Sequence, residues 1–183
     1  MEVIGTEIPD VCIVKPRRFG DHRGFFSETF NAKAFAEHGL PTTFVQDNHS
    51  LSRPKGTIRG LHFQIPPFAQ DKLVRVARGA VLDVAVDLRH ASPTFGRSVA
   101  VVLSAEEWNQ LFIPIGFAHG FCTLEDDSEV LYKVTNSYSP EHDRGLLWCD
   151  GELDIPWPIT VDTAILSEKD KVHPCFKELP DYF

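Results

Sequence analysis

AVLDVAVDL, residues Ala80–Leu88, reads as a β-strand. Val81, Asp83, Ala85 and Asp87 fall on one side and Leu82, Val84, Val86 and Leu88 on the other, the period of two that a pleated backbone imposes. Arg78-Gly79 before it and Ser92-Pro93-Thr94 after it are turn signals. Outward from this strand, similar short runs recur at Val11–Lys15, Phe25–Thr29, Thr43–Asn48, Thr57–Phe63, Lys72–Ala77, Arg97–Leu103, Gln110–Ile113, His119–Thr123, Glu129–Thr135 and Leu146–Trp148. One helix is expected: Asn31 can cap it, Ala32–His38 supply helix formers and Gly39-Leu40-Pro41 ends it. Helices that would cover a parallel sheet are missing, which disfavours a doubly wound α/β fold. The expectation is an all-β antiparallel sandwich or barrel, a group in which jelly rolls and cupins enclose a cavity for a small ligand. No repeat, low-complexity segment or linker divides residues 1–183, so one domain is expected.

Composition narrows the function. At 43% hydrophobic, 183 residues suffice for a core without covalent staples. No apolar run approaches the ~18 residues of a membrane span. Met1–Asp10 carries Glu2, Glu7 and Asp10 and no Lys or Arg, unlike a secretory signal. Lys plus Arg is 18 against 26 for Asp plus Glu, a net charge of −8, so no nucleic-acid role is expected. A small anionic substrate stays open, because a few cations converging in one cavity override the global sign. Cys12, Cys122, Cys149 and Cys175 form no C-x-x-C and read as reduced thiols of a cytoplasmic protein. The 12 glycines form neither a G-x-G-x-x-G nor a P-loop, so no nicotinamide cofactor is expected.

Several segments could carry chemistry. In Arg59-Gly60-Leu61-His62-Phe63-Gln64, pleating puts His62 and Gln64 on one face. Arg59 would then point the other way; both Arg59 and His62 reach one cavity only if Gly60 marks a bulge or the strand begins after it. Lys72 shares a face with Val74 and Val76, either as a snorkelling surface residue or as a cation fixed inside a barrel. Pro114-Ile115-Gly116-Phe117-Ala118-His119-Gly120 looks like a tight turn delivering His119 to a strand. It resembles half of a metal-binding cupin motif, but the second histidine position is Gln64 and no Glu lies between Gln64 and Glu106, so no metal is expected. Tyr132 sits on a strand face with Val130 and Val134, and Tyr138 precedes Ser139-Pro140. Either is a packed tyrosine or a general acid. Ser167-Glu168-Lys169-Asp170 is a helix cap or a solvated turn.

Taken together, the chain resembles the dTDP-4-dehydrorhamnose 3,5-epimerase family from Phe19 to Asp170. The stretches that carry the likeness are FGDHRGFFSETF (19–30), QDNHSLS (46–52), GTIRGLHFQ (56–64), DKLVRVARGAVLDVAVDLRHASPTFG (71–96), IPIGFAHGF (113–121), LYKVTNSYSPEHD (131–143) and SEKD (167–170). The resemblance implies a cupin-type double-stranded β-helix (jelly roll) with a few short helices. It also implies a metal-free enzyme and a homodimer that exchanges N-terminal strands. The implied substrate is dTDP-4-dehydro-6-deoxy-D-glucose, inverted at C3 and C5. By motif position His62 is the implied base, Asp170 its orienting partner, Tyr132 the acid, and Lys72 the cation facing the C4 oxygen. Arg23, Glu28, Gln46, Asp47, Asn48, Arg59, His119 and Lys169 fall at implied nucleotide or diphosphate contacts, and Tyr138 and Asp143 at substrate contacts. Two positions depart from the family pattern: Asp143 stands where Glu is common, and Asp71 precedes Lys72 where Gly is usual.

The chemistry suits these residue types. The C3 and C5 hydrogens flank the C4 ketone, so removing either gives an enolate with its charge on the C4 oxygen, where a fixed ammonium stabilises it. Inversion then needs a proton returned to the other face, hence a base and an acid on opposite walls. A mono-epimerase acting at C3 or C5 alone would use the same groups. A non-catalytic sugar-binding jelly roll would need none of them.

Overall fold

The structure is a computed structural model describing residues 1–183. Its strands are β1 (Glu2–Gly5), β2 (Cys12–Lys15), β3 (Arg18–Asp21), β4 (Gly24–Ser27), β5 (Gln46–Ser52), β6 (Ile58–Gln64), β7 (Lys72–Arg78), β8 (Ala80–Asp87), β9 (Ser98–Ser104), β10 (Gln110–Ile113), β11 (Phe117–Thr123), β12 (Ser128–Val134) and β13 (Asp143–Gly145). One helix, α1 (Ala32–Glu37), is capped by the Asn31 side chain, which accepts from the Ala34 amide at 3.1 Å. A single 3₁₀ turn covers Phe176–Glu178. No helix is long and apolar enough to cross a membrane.

Two antiparallel sheets face each other. One has the order β1-β2-β10-β7-β12-β5, the other β13-β6-β11-β8-β9, and β3–β4 form a separate hairpin. One part of the space between the sheets is dry. Val74, Val76, Leu111, Ile113 and Val130 from the first sheet meet Val81, Ala85, Val99, Leu103, Phe117 and Phe121 from the second. Such interdigitation of two inner faces is how a sandwich buries its apolar positions. The outer face of the five-stranded sheet is also covered: Leu61, Phe63, Val84, Val86 and Ala118 pack against Ile155, Trp157, Phe176, Leu179, Tyr182 and Phe183 of the C-terminal segment. That cover explains why Leu82 aside, every residue of β8 is buried, although its sequence alternates. Helix α1 covers part of the other sheet, with Phe35 fully buried beside Cys12, Val14, Leu73 and Phe112.

Two strand expectations shift markedly. The strand expected at Thr43–Asn48 lies at Gln46–Ser52. Its inward residues Gln46, Asn48, Ser50 and Ser52 face a polar space, so the apolar alternation that marks strands elsewhere is missing. The strand expected at Leu146–Trp148 lies three residues earlier, at Asp143–Gly145. Leu146 still exchanges backbone hydrogen bonds with Leu61, but Leu146 and Trp148 owe their apolar character to burial rather than to pairing. β1 and β3, short and largely exposed, carry no periodic signal. Ser167–Asp170 is a turn, not a helix start, with the Asp170 amide donating to Ser167 Oγ at 3.2 Å.

Candidate active site

The sheets part at one end around a cavity of about 540 Å³, within the range of small-ligand sites. Arg59, His62, Lys72, His119, Tyr132, Tyr138, Asp143, Lys169 and Asp170 all line it.

The β6 register brings the first two together. Across the β6–β11 pair, His62 faces His119 and Arg59 faces Phe121. Gly60 and Leu61 therefore oppose Gly120 alone, a bulge that changes the parity of the strand. Residues three apart then point the same way. Both glycines are required. A Cβ on Gly60, whose φ is +129°, would lie 2.5 Å from Gly120 Cα, and one on Gly120 would lie 2.8 Å from the Arg59 oxygen. Arg59 is held by Ser52 Oγ at 3.0 Å and the Leu51 oxygen at 3.1 Å.

His62 Nε2 lies 2.6 Å from Asp170 Oδ1. The carboxylate is buried, which pushes its pKa up, but hydrogen bonds from His62 and Ser167 and the nearby imidazoles outweigh burial and hold it below the usual carboxylate range. Asp170 is thus an anion that fixes the ring, with Nε2 as the bonded nitrogen and Nδ1 as the free one. Behind it, His173 Nε2 approaches the same Oδ1 at 3.4 Å.

Lys72 is buried, not snorkelling. From β7 its Nζ crosses to the opposite sheet and donates to the His62 carbonyl at 3.2 Å. Burial lowers its pKa to about 8, against the pull of Asp143 and Asp83. Asp71 does not enter this balance. Its carboxylate accepts from the Ile115 amide at 2.9 Å and Thr135 Oγ1 at 3.0 Å, so the departure next to Lys72 is absorbed by loop structure.

Tyr132 stands on β12, in the sheet opposite His62. Burial raises its pKa, with Asp143 and Tyr138 adding to it against Arg59, so the phenol keeps its proton. At the rim, Asp143 pairs with Lys169 and accepts from Tyr138 Oη at 3.3 Å.

The sequence reading missed Asp83. It is fully buried, both its oxygens lie 3.0 Å from His119 Nε2, and it opposes the burial that lowers the pKa values of His119 and Lys72. An aspartate inside a strand buried on both faces was the available signal. Asp87 on the same strand differs: it binds Arg89, Ser92 and Thr94 and shapes the following turn. Ser50 was also missed; its Oγ is buried at the cavity wall with no partner in the protein.

A mid-barrel metal does not fit. Gln64 Nε2 donates to the Phe68 and Ser137 oxygens and its Oε1 accepts from the Ser139 amide, while His119 is held by Asp83. No carboxylate completes a His62–Gln64–His119 set.

The remaining expected residues lie outside this cavity within the chain. Gln46 and Asn48 are at its edge: they bond each other at 2.8 Å, and Gln46 Oε1 accepts from the Tyr138 amide. Asp47 alternates with these neighbours on β5 and pairs with Lys133; together with Asn48, Arg75 and Gln110 it lines a second cavity of about 330 Å³. Arg23 and Glu28 sit on and just after the β3–β4 hairpin, Arg23 paired with Asp21 in solvent.

The family model described as dTDP-4-dehydrorhamnose 3,5-epimerase matches residues 5–178. A curated protein of that name from Shigella flexneri is 57% identical over 171 residues, 93% of each chain. The fold is similar to the crystal structure of dTDP-4-dehydrorhamnose 3,5-epimerase from Bacillus anthracis with TDP and PPi bound, at 52% identity and a TM-score of 0.92, covering 95% of this chain and 98% of that one. It is equally similar to the Legionella pneumophila dTDP-6-deoxy-D-glucose-3,5-epimerase in complex with dTDP-4-keto-L-rhamnose, at 44% identity and a TM-score of 0.93, covering 98% and 94%.

Proposed function

Because the chain belongs to the dTDP-4-dehydrorhamnose 3,5-epimerase family, we propose that it is an isomerase converting dTDP-4-dehydro-6-deoxy-D-glucose to dTDP-4-dehydro-L-rhamnose. The observation that carries this is one cavity with a His62–Asp170 pair on one sheet, Tyr132 on the other and the Lys72 ammonium crossing between them.

His62 Nδ1, bare because Nε2 is committed to Asp170, removes a hydrogen beside the C4 ketone. Asp170 stabilises the imidazolium that results. Charge moves to the C4 oxygen, where Lys72 meets it in a site that excludes most water; losing one comparable donor costs ~3–4 kcal/mol. Tyr132 gives a proton from the opposite wall, inverting the carbon. A general acid or base of this kind is worth ~10²–10⁴-fold. Repeating the cycle at the second carbon needs the same groups, once the protons on His62 and Tyr132 are reset. Arg59 and His119 hold the diphosphate, Arg59 through the N–H groups that Ser52 and Leu51 leave free. Tyr138, Asp143 and Lys169 close the rim over the sugar. No metal or nicotinamide takes part.

We further propose a single domain over residues 1–183, a cytoplasmic location and a homodimer. The dimer accounts for the hairpin β3–β4, which exposes Phe19 and Phe26 and carries Arg23 away from its own chain's cavity.

The test is product formation in D₂O followed by NMR. Inversion with deuterium at both C3 and C5 is the expected result. Inversion at one carbon replaces this reading with a mono-epimerase, and no exchange at either carbon removes the epimerase reading.

A further inference from the structure

A third titratable side chain stands at the His62–Asp170 pair and has no part in the chemistry above. Gly145 on β13 pairs directly with His62 on β6. A Cβ at Gly145 would lie 2.1–2.3 Å from three atoms of the His173 ring, so the ring occupies the place a side chain would fill. It meets His62 edge-on, with centroids 5.5 Å apart. The His173 side chain is only 9% exposed, and its Nε2 is buried with no hydrogen bond. Buried polar atoms are normally satisfied, so this one calls for a ligand or a reason.

That nitrogen points at a donor cluster. One ligand atom from each of His62, Asp170 and His173 lies within 4.8 Å of the other two, and Asp170 Oδ1 is 2.6 Å from His62 Nε2 and 3.4 Å from His173 Nε2. We infer that they form a binding site for a divalent transition-metal ion of the zinc type, and that filling it inhibits the enzyme. Zinc bonds of ~2.0–2.2 Å in tetrahedral geometry set donors roughly 3.3 Å apart. His173 Nε2 and Asp170 Oδ1 are already at 3.4 Å, and the His62–Asp170 contact, at 2.6 Å, is short because a proton lies between the two. Replacing that proton with a metal ion opens this pair and draws His173 inward. His62 is one-third exposed, so water can supply the fourth ligand. Two imidazoles and a carboxylate favour Zn²⁺ or Co²⁺ over Mg²⁺ or Ca²⁺.

Neutral His62 carries one proton, on Nε2; the metal ion takes that nitrogen and the proton moves to Nδ1 through solvent, so one M²⁺ enters and the ring loses no proton. Coordination through His62 Nε2 therefore places the ring's only proton on Nδ1, the nitrogen that must be bare to abstract. The inhibitory half therefore rests on His62 as the base; binding does not.

The test adds Co²⁺ to the protein after EDTA treatment and dialysis. The expected result is the visible absorption of four-coordinate cobalt, saturating at one ion per chain and displaced by Zn²⁺. The band should be lost in His173→Gln and, independently, in Asp170→Asn. In activity assays Zn²⁺ should inhibit the wild type and EDTA should restore it. His173→Gln should remain active and require at least tenfold more zinc. Absence of a cobalt band, or a band unchanged in both variants, overturns the site and leaves the base assignment standing. A band without zinc inhibition overturns the inhibition and counts against His62 as the base.

Discussion

Lys72→Met should make the protein more stable and nearly inactive. Burial lowers the Lys72 pKa from 10.5 to about 8. At 1.36 kcal/mol per unit, keeping this ammonium charged at pH 7 costs about 3 kcal/mol of folding stability. Methionine has a similar length and carries no charge, so it removes that cost. It also removes the hydrogen bond to the His62 carbonyl, worth ~0.5–1.5 kcal/mol, for a net gain of about 2 kcal/mol. The gain has a defined pH window. Between about 8 and 10.5 the unfolded chain holds the proton and the native one does not, so wild-type stability rises with pH across that range. Below pH 8 both states are protonated and the deficit is fully present. By pH 10 the charge-related part of the gain should shrink to about 1 kcal/mol. Urea denaturation of both proteins at pH 7 and pH 10, followed by tryptophan fluorescence, measures this. Activity should move the other way, with kcat falling ~10²–10³-fold as one oxyanion donor is lost. For the wild type, kcat/KM should decline above pH about 8, as the ammonium deprotonates. A Lys72→Met protein that is less stable than wild type at pH 7, or whose advantage is the same at pH 10, refutes the buried-cation argument. Retained activity refutes its role in catalysis.

Tyr132→Phe should keep deuterium exchange at the carbons beside the ketone while inversion slows ~10²–10⁴-fold, because the base is intact and only the far proton source is gone; an unchanged ratio of the two rates by NMR removes Tyr132 from the mechanism. His62→Ala should still bind dTDP by calorimetry but exchange no substrate hydrogen, and normal exchange would mean the base lies elsewhere. Gly60→Ala forces a side chain into Gly120 and the His119 oxygen at a φ of +129°; Tm should fall and activity with it, whereas a normal Tm would show that the bulge accepts a Cβ. Light scattering should give twice the 20.6 kDa chain mass, and a monomer that retains full activity would contradict the assignment of Arg23 and Glu28 to a neighbouring copy's site.

The legibility of the sequence followed how each residue reports its surroundings. β7, β8, β10 and β11 read correctly because their apolar residues meet a dry core, and the expected and observed ends differ by no more than two residues. β5 read poorly because its inner face meets the cavity, where Gln46, Asn48 and Ser50 replace the valines that advertise a strand. The same polarity suits the binding proposed for this segment, so the loss of signal and the proposed role have one cause. Residue identity could not show orientation. Asp47 lies between two residues at the cavity edge, yet strand pleating turns it to the opposite face. Asp83 was hidden by the reverse error: alternation made it look like one polar member of a strand face, but both faces of β8 are covered, and a fully buried carboxylate must have a partner.

The pairing of Arg59 with His62 shows what only the fold supplies. In a regular strand these two side chains diverge, and a single extra residue at Gly60-Leu61 makes them converge. The sequence carried the condition, a glycine between them, but not its outcome. That outcome depends on Gly120, sixty residues away, leaving room for the Gly60 backbone. Two glycines therefore set the geometry on which the proposed diphosphate binding and proton abstraction both depend, although neither has a side chain to bring to the chemistry. Their substitution should impair binding and exchange together, whereas a change at His62 or Arg59 should impair one and spare the other.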